Sequence, residues 1–143
     1  MSGHPRVIAY LQRALDHEFG AAQQFTLQAG QAGILGLPAL AAELRTAASE
    51  ELEHAGAFIA CLFVLGCTPR AGGAVTGCIG RSHLELLRYG LATEASAIRL
   101  YEEAGRFCRQ IGDTSQGAVF ERILDDEVQH YRELKRRIES LGA

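Results

Sequence analysis

Apolar residues recur at alternating intervals of three and four along four stretches of the chain, the spacing of a helical face packed nearly parallel or antiparallel to its neighbours. In the first stretch, residues 5–34, the series runs Leu11, Leu15, Glu18, Ala22, Phe25, Ala29. In the second, 38–65, it runs Leu40, Leu44, Ala47, Glu51, His54, Phe58, Cys61, Leu65. The third, 83–111, gives Leu84, Leu87, Leu91, Glu94, Ile98, Tyr101, Cys108, and the fourth, 114–141, gives Phe120, Ile123, Glu127, His130, Leu134, Leu141. Breakers set the limits: Gly33 and Gly36 close the first stretch, Pro38 opens the second, Ser82 precedes the third, and Asp113, Thr114 and Ser115 offer N-caps for the fourth. Alanine (22) and leucine (18) far outnumber valine and isoleucine together (13), which favours helix over strand. The pattern predicts an all-α protein, one domain over residues 1–143.

The connections refine this. Gly-Leu-Pro between the first two stretches and Gly-Asp-Thr between the last two are long enough only for antiparallel neighbours. Residues 66–82 form a Gly-rich connection of 17 residues. At about 3.3 Å per residue it can run the length of a helix of about 28 residues. A four-helix bundle with a long crossover between the second and third helices is therefore expected.

With 143 residues, 48% hydrophobic and 22% charged, the chain has the size and balance of a soluble domain that needs no disulfides. A net charge of −3 and the lack of a Lys/Arg run argue against nucleic-acid binding. The first residues contain no apolar stretch of signal-peptide type. The longest uncharged window, 19–42, carries Gln23, Gln24, Gln28 and Gln31 and is broken by glycines and Pro38, so no membrane span is expected. Four cysteines without a C-x-x-C pair suit reduced thiols and a cytoplasmic location. Cys61 and Cys108 read as small core residues; Cys67 and Cys78, in the crossover, leave a redox or metal role open.

Six ionisable residues interrupt the apolar series: Glu18, Glu51, His54, Glu94, Glu127 and His130. Glu18 precedes Glu51 by 33 residues and His54 by 36; Glu94 precedes Glu127 by 33 and His130 by 36, the same device shifted by 76. In each Glu-x-x-His the two side chains share a helix face, so one ion can bind both. Carboxylate with imidazole suits iron, manganese or zinc. Four glutamates carry −4, which two divalent cations neutralise. Without metal, each buried carboxylate would face several kcal/mol of desolvation or take up a proton. Taken singly, such residues are ordinarily solvated glutamates and core histidines; six in duplicated spacing on four seams point to a metal site.

One Glu on the first helix, Glu-x-x-His on the second, one Glu on the third and Glu-x-x-His on the fourth resembles the ferritin-like di-metal carboxylate proteins. The helix lengths and long crossover resemble the bacterioferritin family in particular, and the segment Leu-Asp-Asp-Glu-Val-Gln-His, residues 124–130, is similar to that family's fourth-helix motif. The resemblance implies a ferroxidase centre holding two irons within one subunit. Glu51 and Glu127 would bridge, Glu18 and Glu94 would be terminal carboxylates, and His54 and His130 terminal nitrogens. It further implies oxidation of two Fe(II) by dioxygen or hydrogen peroxide to an oxo-bridged diferric species. Iron would then enter a mineral store or remain as a cycling cofactor. The assembly would be a homo-oligomer, at least a dimer.

Against that family the chain shows several departures. The methionine that holds haem between two subunits is replaced by Leu52, and the sole methionine is Met1, so no bis-methionine haem is expected. Phe25 stands where the family commonly has a tyrosine beside the site. Tyr101, two turns beyond Glu94, reads as a packed seam residue, with contact to the site as the alternative. Thr46 and Glu50 stand where some members use histidine and aspartate for an extra iron. The sequence ends after the fourth helix, without the short fifth helix of the 24-subunit shells, which keeps a dimer or smaller shell in view. His4, His17 and His83 are expected to face solvent, and Arg132, Lys135, Arg136 and Arg137 to complement the helix dipole. Two other readings stand beside the leading one: a di-iron or di-manganese enzyme that reduces peroxide or oxidises an organic substrate, and a metal-free interaction bundle.

Overall fold

The structure, a computed structural model, describes residues 3–70, 72–73 and 77–142. Four helices form the bundle: α1 (Pro5–Ile34), α2 (Pro38–Val64), α3 (His83–Gln110) and α4 (Thr114–Ser140). Each begins where local chemistry favours a start. Pro5 and Pro38 sit in first turns, where the missing N–H costs nothing. Ser82 Oγ accepts from the Glu85 N–H and Asp113 Oδ1 from the Gln116 N–H, both at 3.1 Å, filling donors the helix leaves unpaired. His4 is exposed, and its Nδ1 caps α1 by accepting from the Arg6 N–H. The stretches expected to reach residues 65, 111 and 141 each stop one residue earlier, because Leu65, Ile111 and Leu141 act as C-caps.

Three-residue turns make α1/α2 and α3/α4 antiparallel hairpins. Gly36, with φ of +73°, closes the first by adopting the left-handed conformation that β-carbons disfavour. The hairpins join through α1 and α3, where Tyr10 meets Glu103 and Gln28 meets Leu86, again antiparallel. Between α2 and α4 contact is sparse. His54 faces Asp126, Glu50 faces His130, and Glu43 pairs with Arg137. Arg137 thus ties α4 to α2, and Arg136 pairs with Glu133, so these two do more than complement a dipole.

The crossover runs along α1, as its length predicts. Arg70 exchanges two hydrogen bonds with Gln12 and pairs with Asp16, and Gln28 Nε2 donates to the Ile79 carbonyl at 2.8 Å. A β-carbon at Gly73 would lie 2.7 Å from the Asp16 carboxyl, and one at Gly77 would collide with Gln24. Gly73 and Gly77 therefore permit close approach to α1. Two of the glutamines that argued against a membrane span, Gln28 and Gln31, anchor it, and among the described residues no helix is long and apolar enough to cross a membrane.

The buried apolar residues form two clusters. One gathers Leu11, Leu15, Phe58, Leu62, Tyr101, Phe120 and Ile123; the other Phe25, Leu40, Leu44, Leu86, Leu87 and Ile138. Along every helix the ionisable residues fall between them. Some sequence expectations need correction. Leu141 is 44% exposed and Ile138 closes the α4 seam instead. Leu84, Leu91 and Ile98 are half-buried, while Leu86, Ala97, Leu100 and Ala104 are buried, because α3 packs against α1 as well as α4. His17 and His83 are half-buried rather than solvent-facing, and the His17 ring meets the Tyr101 ring edge-on, centroids 6.4 Å apart. Cys61 and Cys108 are buried, Cys67 is half-buried and Cys78 exposed; none is in a disulfide. Burial pushes the Cys108 thiol up to about 11, the range of an inert thiol.

Candidate metal centre

All six seam residues converge between the two apolar clusters. Glu18, Glu51 and Glu127 are inaccessible to solvent, Glu94 and His54 are buried, and His130 is half-buried. Their donor atoms fall into two groups: Glu18, Glu51, His54 and Glu127, and Glu51, Glu94, Glu127 and His130. Within each group the atoms lie inside 4.8 Å of one another, and Glu51 and Glu127 belong to both.

The imidazoles are oriented. His54 Nδ1 lies 3.1 Å from Glu127 Oε1 and 3.6 Å from Glu18 Oε1. His130 Nδ1 lies 3.5 Å from Glu127 Oε1 and 3.7 Å from Glu51 Oε1. The opposite nitrogens face outward to carboxylates: His54 Nε2 to Asp126 at 2.9 Å and His130 Nε2 to Glu50 at 2.8 Å. An outer carboxylate of this kind fixes the tautomer and leaves the inward nitrogen free to bind metal. The pairs cross between helices, since Glu50 directly precedes Glu51 on α2 and Asp126 directly precedes Glu127 on α4. Sequence reasoning gave Asp126 no role and assigned Glu50 only to a position for extra iron. The doubled acidic pair before each x-x-His is the signal that would have marked both.

Tyr101 also differs from the packed-residue reading. Its O–H donates to Glu18 Oε1 at 2.6 Å, so it touches the cluster directly. Phe25 is buried in the second apolar cluster and brings no polar atom to the site.

The donor set fits metal. Glu18 Oε2, both oxygens of Glu51 and of Glu127, Glu94 Oε2 and His54 Nδ1 are buried without a hydrogen bond. Such atoms cost free energy unless a cation or proton meets them. Electrostatics describes the protons. Burial, then Glu18 beside it, pushes the Glu51 carboxyl well above the usual carboxylate range; burial and Glu127 do the same to Glu94. Burial also works against ionised Glu127, but Glu94, His130 and His54 outweigh it and hold this carboxyl low. Burial disfavours the His54 imidazolium, yet Glu127 and Glu18 overcome it and raise the group to about 11. Glu127 raises His130 likewise, against burial. Free of metal, the cluster favours the protonated forms of Glu51, Glu94, His54 and His130.

An all-α bundle with this long crossover, enclosing carboxylates and imidazoles from all four helices, is a ferritin-like protein. The Ferritin-like domain family matches residues 8–142. Bacterioferritin of Rhodobacter capsulatus is 32% identical over 138 residues, covering 96% of this chain and 86% of the relative; that of Brucella melitensis is 30% identical, covering 99% and 88%. A solved structure of the Rhodobacter protein, with a metal-free dinuclear site and haem iron, superposes with a TM-score of 0.96 at 31% identity, covering 99% of this chain and 89% of that one. Mycobacterium tuberculosis BfrA superposes at 0.95 with 26% identity over the same shares. The chain belongs to the bacterioferritin family.

Proposed function

We propose that this chain is an iron-binding ferroxidase, oxidising Fe(II) at the six-residue cluster for iron storage or detoxification. The sharing of Glu51 and Glu127 between two donor groups carries the reading. Glu18 and His54 complete one metal position, and Glu94 and His130 the other. Two Fe(II) supply two electrons, enough to reduce dioxygen to peroxide or hydrogen peroxide to water. Four carboxylates balance the charge of two divalent ions and favour the higher oxidation state, and apolar clusters pack on either side of them. Asp126 and Glu50 hold the imidazoles with Nδ1 inward. Manganese or zinc fits the same donors.

The assembly in this reading is a cytoplasmic homo-oligomer, at least a dimer, without bis-methionine haem. On the outer face, Leu27 and Leu52 are more than half exposed and line a groove with Phe19 and Ala22, an apolar surface suited to a second copy. Among the described residues that line it none is a methionine, and Leu52 stands where the resemblance places the haem ligand.

A cavity of about 440 Å³ gives the second reading its support. Phe25, Leu40, Leu44 and Leu134 wall it, and Glu94 and His130 edge it on the site side, leaving room for an organic substrate. One titration separates the two. Anaerobic protein given many equivalents of Fe(II) per subunit and then air accumulates a soluble ferric core if it stores iron. An enzyme acting on peroxide or an organic substrate stops at two irons per subunit.

A further inference from the structure

We propose that the cavity between α2 and α4 binds a neutral hydroquinone, which returns electrons to iron oxidised at the neighbouring cluster. The proposal rests on the ferroxidase reading. The cavity lies where α2 and α4 meet through ion pairs, Glu43 with Arg137 and Glu50 with His130, and touch little otherwise. Phe25, Leu40, Leu44 and Leu134 give it an apolar wall, and the first three are buried. Glu94 and His130, the two cluster residues that belong to the second donor group alone, border it. Its volume of about 440 Å³ falls in the lower part of the range that holds small organic molecules.

Charge and hydrogen bonding select the ligand. The two basic side chains at the cavity are already engaged, Arg137 by Glu43 and His130 by Glu50 and Glu127. Glu133 adds a further carboxylate, so an anion would meet repulsion without a partner. The apolar wall favours an uncharged ring. Glu94 Oε2 is buried without a hydrogen bond, and a carboxylate that holds an ion with one oxygen can accept a ligand hydroxyl with the other. Thr46, exposed, also lines the cavity; its hydroxyl donates to the Ala42 carbonyl at 3.2 Å and keeps lone pairs for a second ligand hydroxyl. An uncharged ring with two hydroxyls is a hydroquinone. It also matches the electron count. One hydroquinone and two Fe(III) yield one quinone, two Fe(II) and two protons; each broken O–H bond gives one electron to one iron. The protons leave to bulk water past the exposed Glu133 carboxylate.

The test has a binding arm and a redox arm. Zinc-loaded protein, which accepts no electrons, is titrated calorimetrically with methylhydroquinone and with gentisate, a hydroquinone that carries a carboxylate. Wild type binds one methylhydroquinone per subunit and binds gentisate more weakly by about tenfold or more. Ala47→Phe places a ring in the cavity from α2 and Leu134→Phe from α4; each weakens methylhydroquinone binding by about tenfold or more. Ala60→Phe, at an exposed position outside the cavity, leaves it unchanged. In the redox arm, anaerobic protein carrying two Fe(III) per subunit receives methylhydroquinone and a colorimetric Fe(II) chelator. Wild type forms one quinone for every two Fe(II), and both filled-cavity variants are slower by a similar factor. No binding by wild type, equal binding by wild type and both filled-cavity variants, gentisate binding as tight as that of methylhydroquinone, or binding without quinone formation overturns the proposal. Oxidation of two Fe(II) per subunit by air, followed in wild type without hydroquinone, shows separately whether the ferroxidase reading stands.

Discussion

Glu51→Gln abolishes Fe(II) oxidation while leaving the metal-free protein folded and at least as stable. Glu51 gives an oxygen to both donor groups, so in the proposed reading its loss would strip a donor from each metal position and one of the four charges that would balance them. Removing an outer partner of a metal ligand costs about 10–100-fold, and removing a shared ligand costs more than that upper figure, about 100-fold or beyond. The stability half follows from protonation. Burial and Glu18 favour the neutral form of the Glu51 carboxyl in the metal-free cluster. Glutamine imitates that neutral acid in shape, and it cannot ionise at a site that disfavours charge. Glu127→Ala also abolishes oxidation but destabilises the fold, because Glu127 is the anion facing both imidazoliums. Steady-state oxidation rates with thermal melts of the chelator-treated variants check both halves. Wild-type oxidation in either variant refutes the bridge assignment.

Chelator-treated protein loses thermal stability as pH rises from 6 to 9, and zinc restores it most at the alkaline end. Glu51 and Glu94 titrate higher folded than unfolded, so their contribution is full below the ordinary carboxylate range and is lost as pH rises through the raised values. His54 acts in the same direction: its contribution is complete below an unfolded value of about 6.5 and declines toward about 11. His130 follows it. Glu127 is lowered; its contribution is present above the ordinary carboxylate range and stays constant through this window. Zinc must displace protons from these groups, so its affinity strengthens with pH. At a hundredfold excess over its dissociation constant zinc adds about 2.7 kcal/mol, roughly 5–11 °C in Tm for a domain of this size. Melts at pH 6, 7.5 and 9, with chelator and with zinc, check this. Coincident curves would favour the metal-free interaction bundle.

The sequence made the bundle legible because its breakers and caps are local: proline, Ser82 and Asp113 act within a turn of themselves, and the helix ends fell within one residue of expectation. The six cluster residues were legible because a duplicated spacing survives in one dimension. Tyr101 was not. Its position i+7 from Glu94 placed it on the buried face, but its hydroxyl meets Glu18, 83 residues away on α1, and no local pattern records that. The outer carboxylates Glu50 and Asp126 carried a local mark, an acid directly before Glu51 and Glu127, but each serves a histidine on the opposite helix, which that mark does not record. On α3 a single three-and-four series traced one line, whereas the helix buries a broader arc against two neighbours. Leu86, Ala97 and Leu100 lie on that arc and off the line.

In the proposed reading the buried carboxylates and imidazoles of the four helices come together to hold two cations. Anomalous diffraction from crystals soaked in ferrous salt tests it most directly. Two iron peaks per subunit are expected inside the bundle, with Glu51 and Glu127 each touching both, His54 Nδ1 on one and His130 Nδ1 on the other. Iron found only on surface acids, with no peak among the six residues, would contradict it.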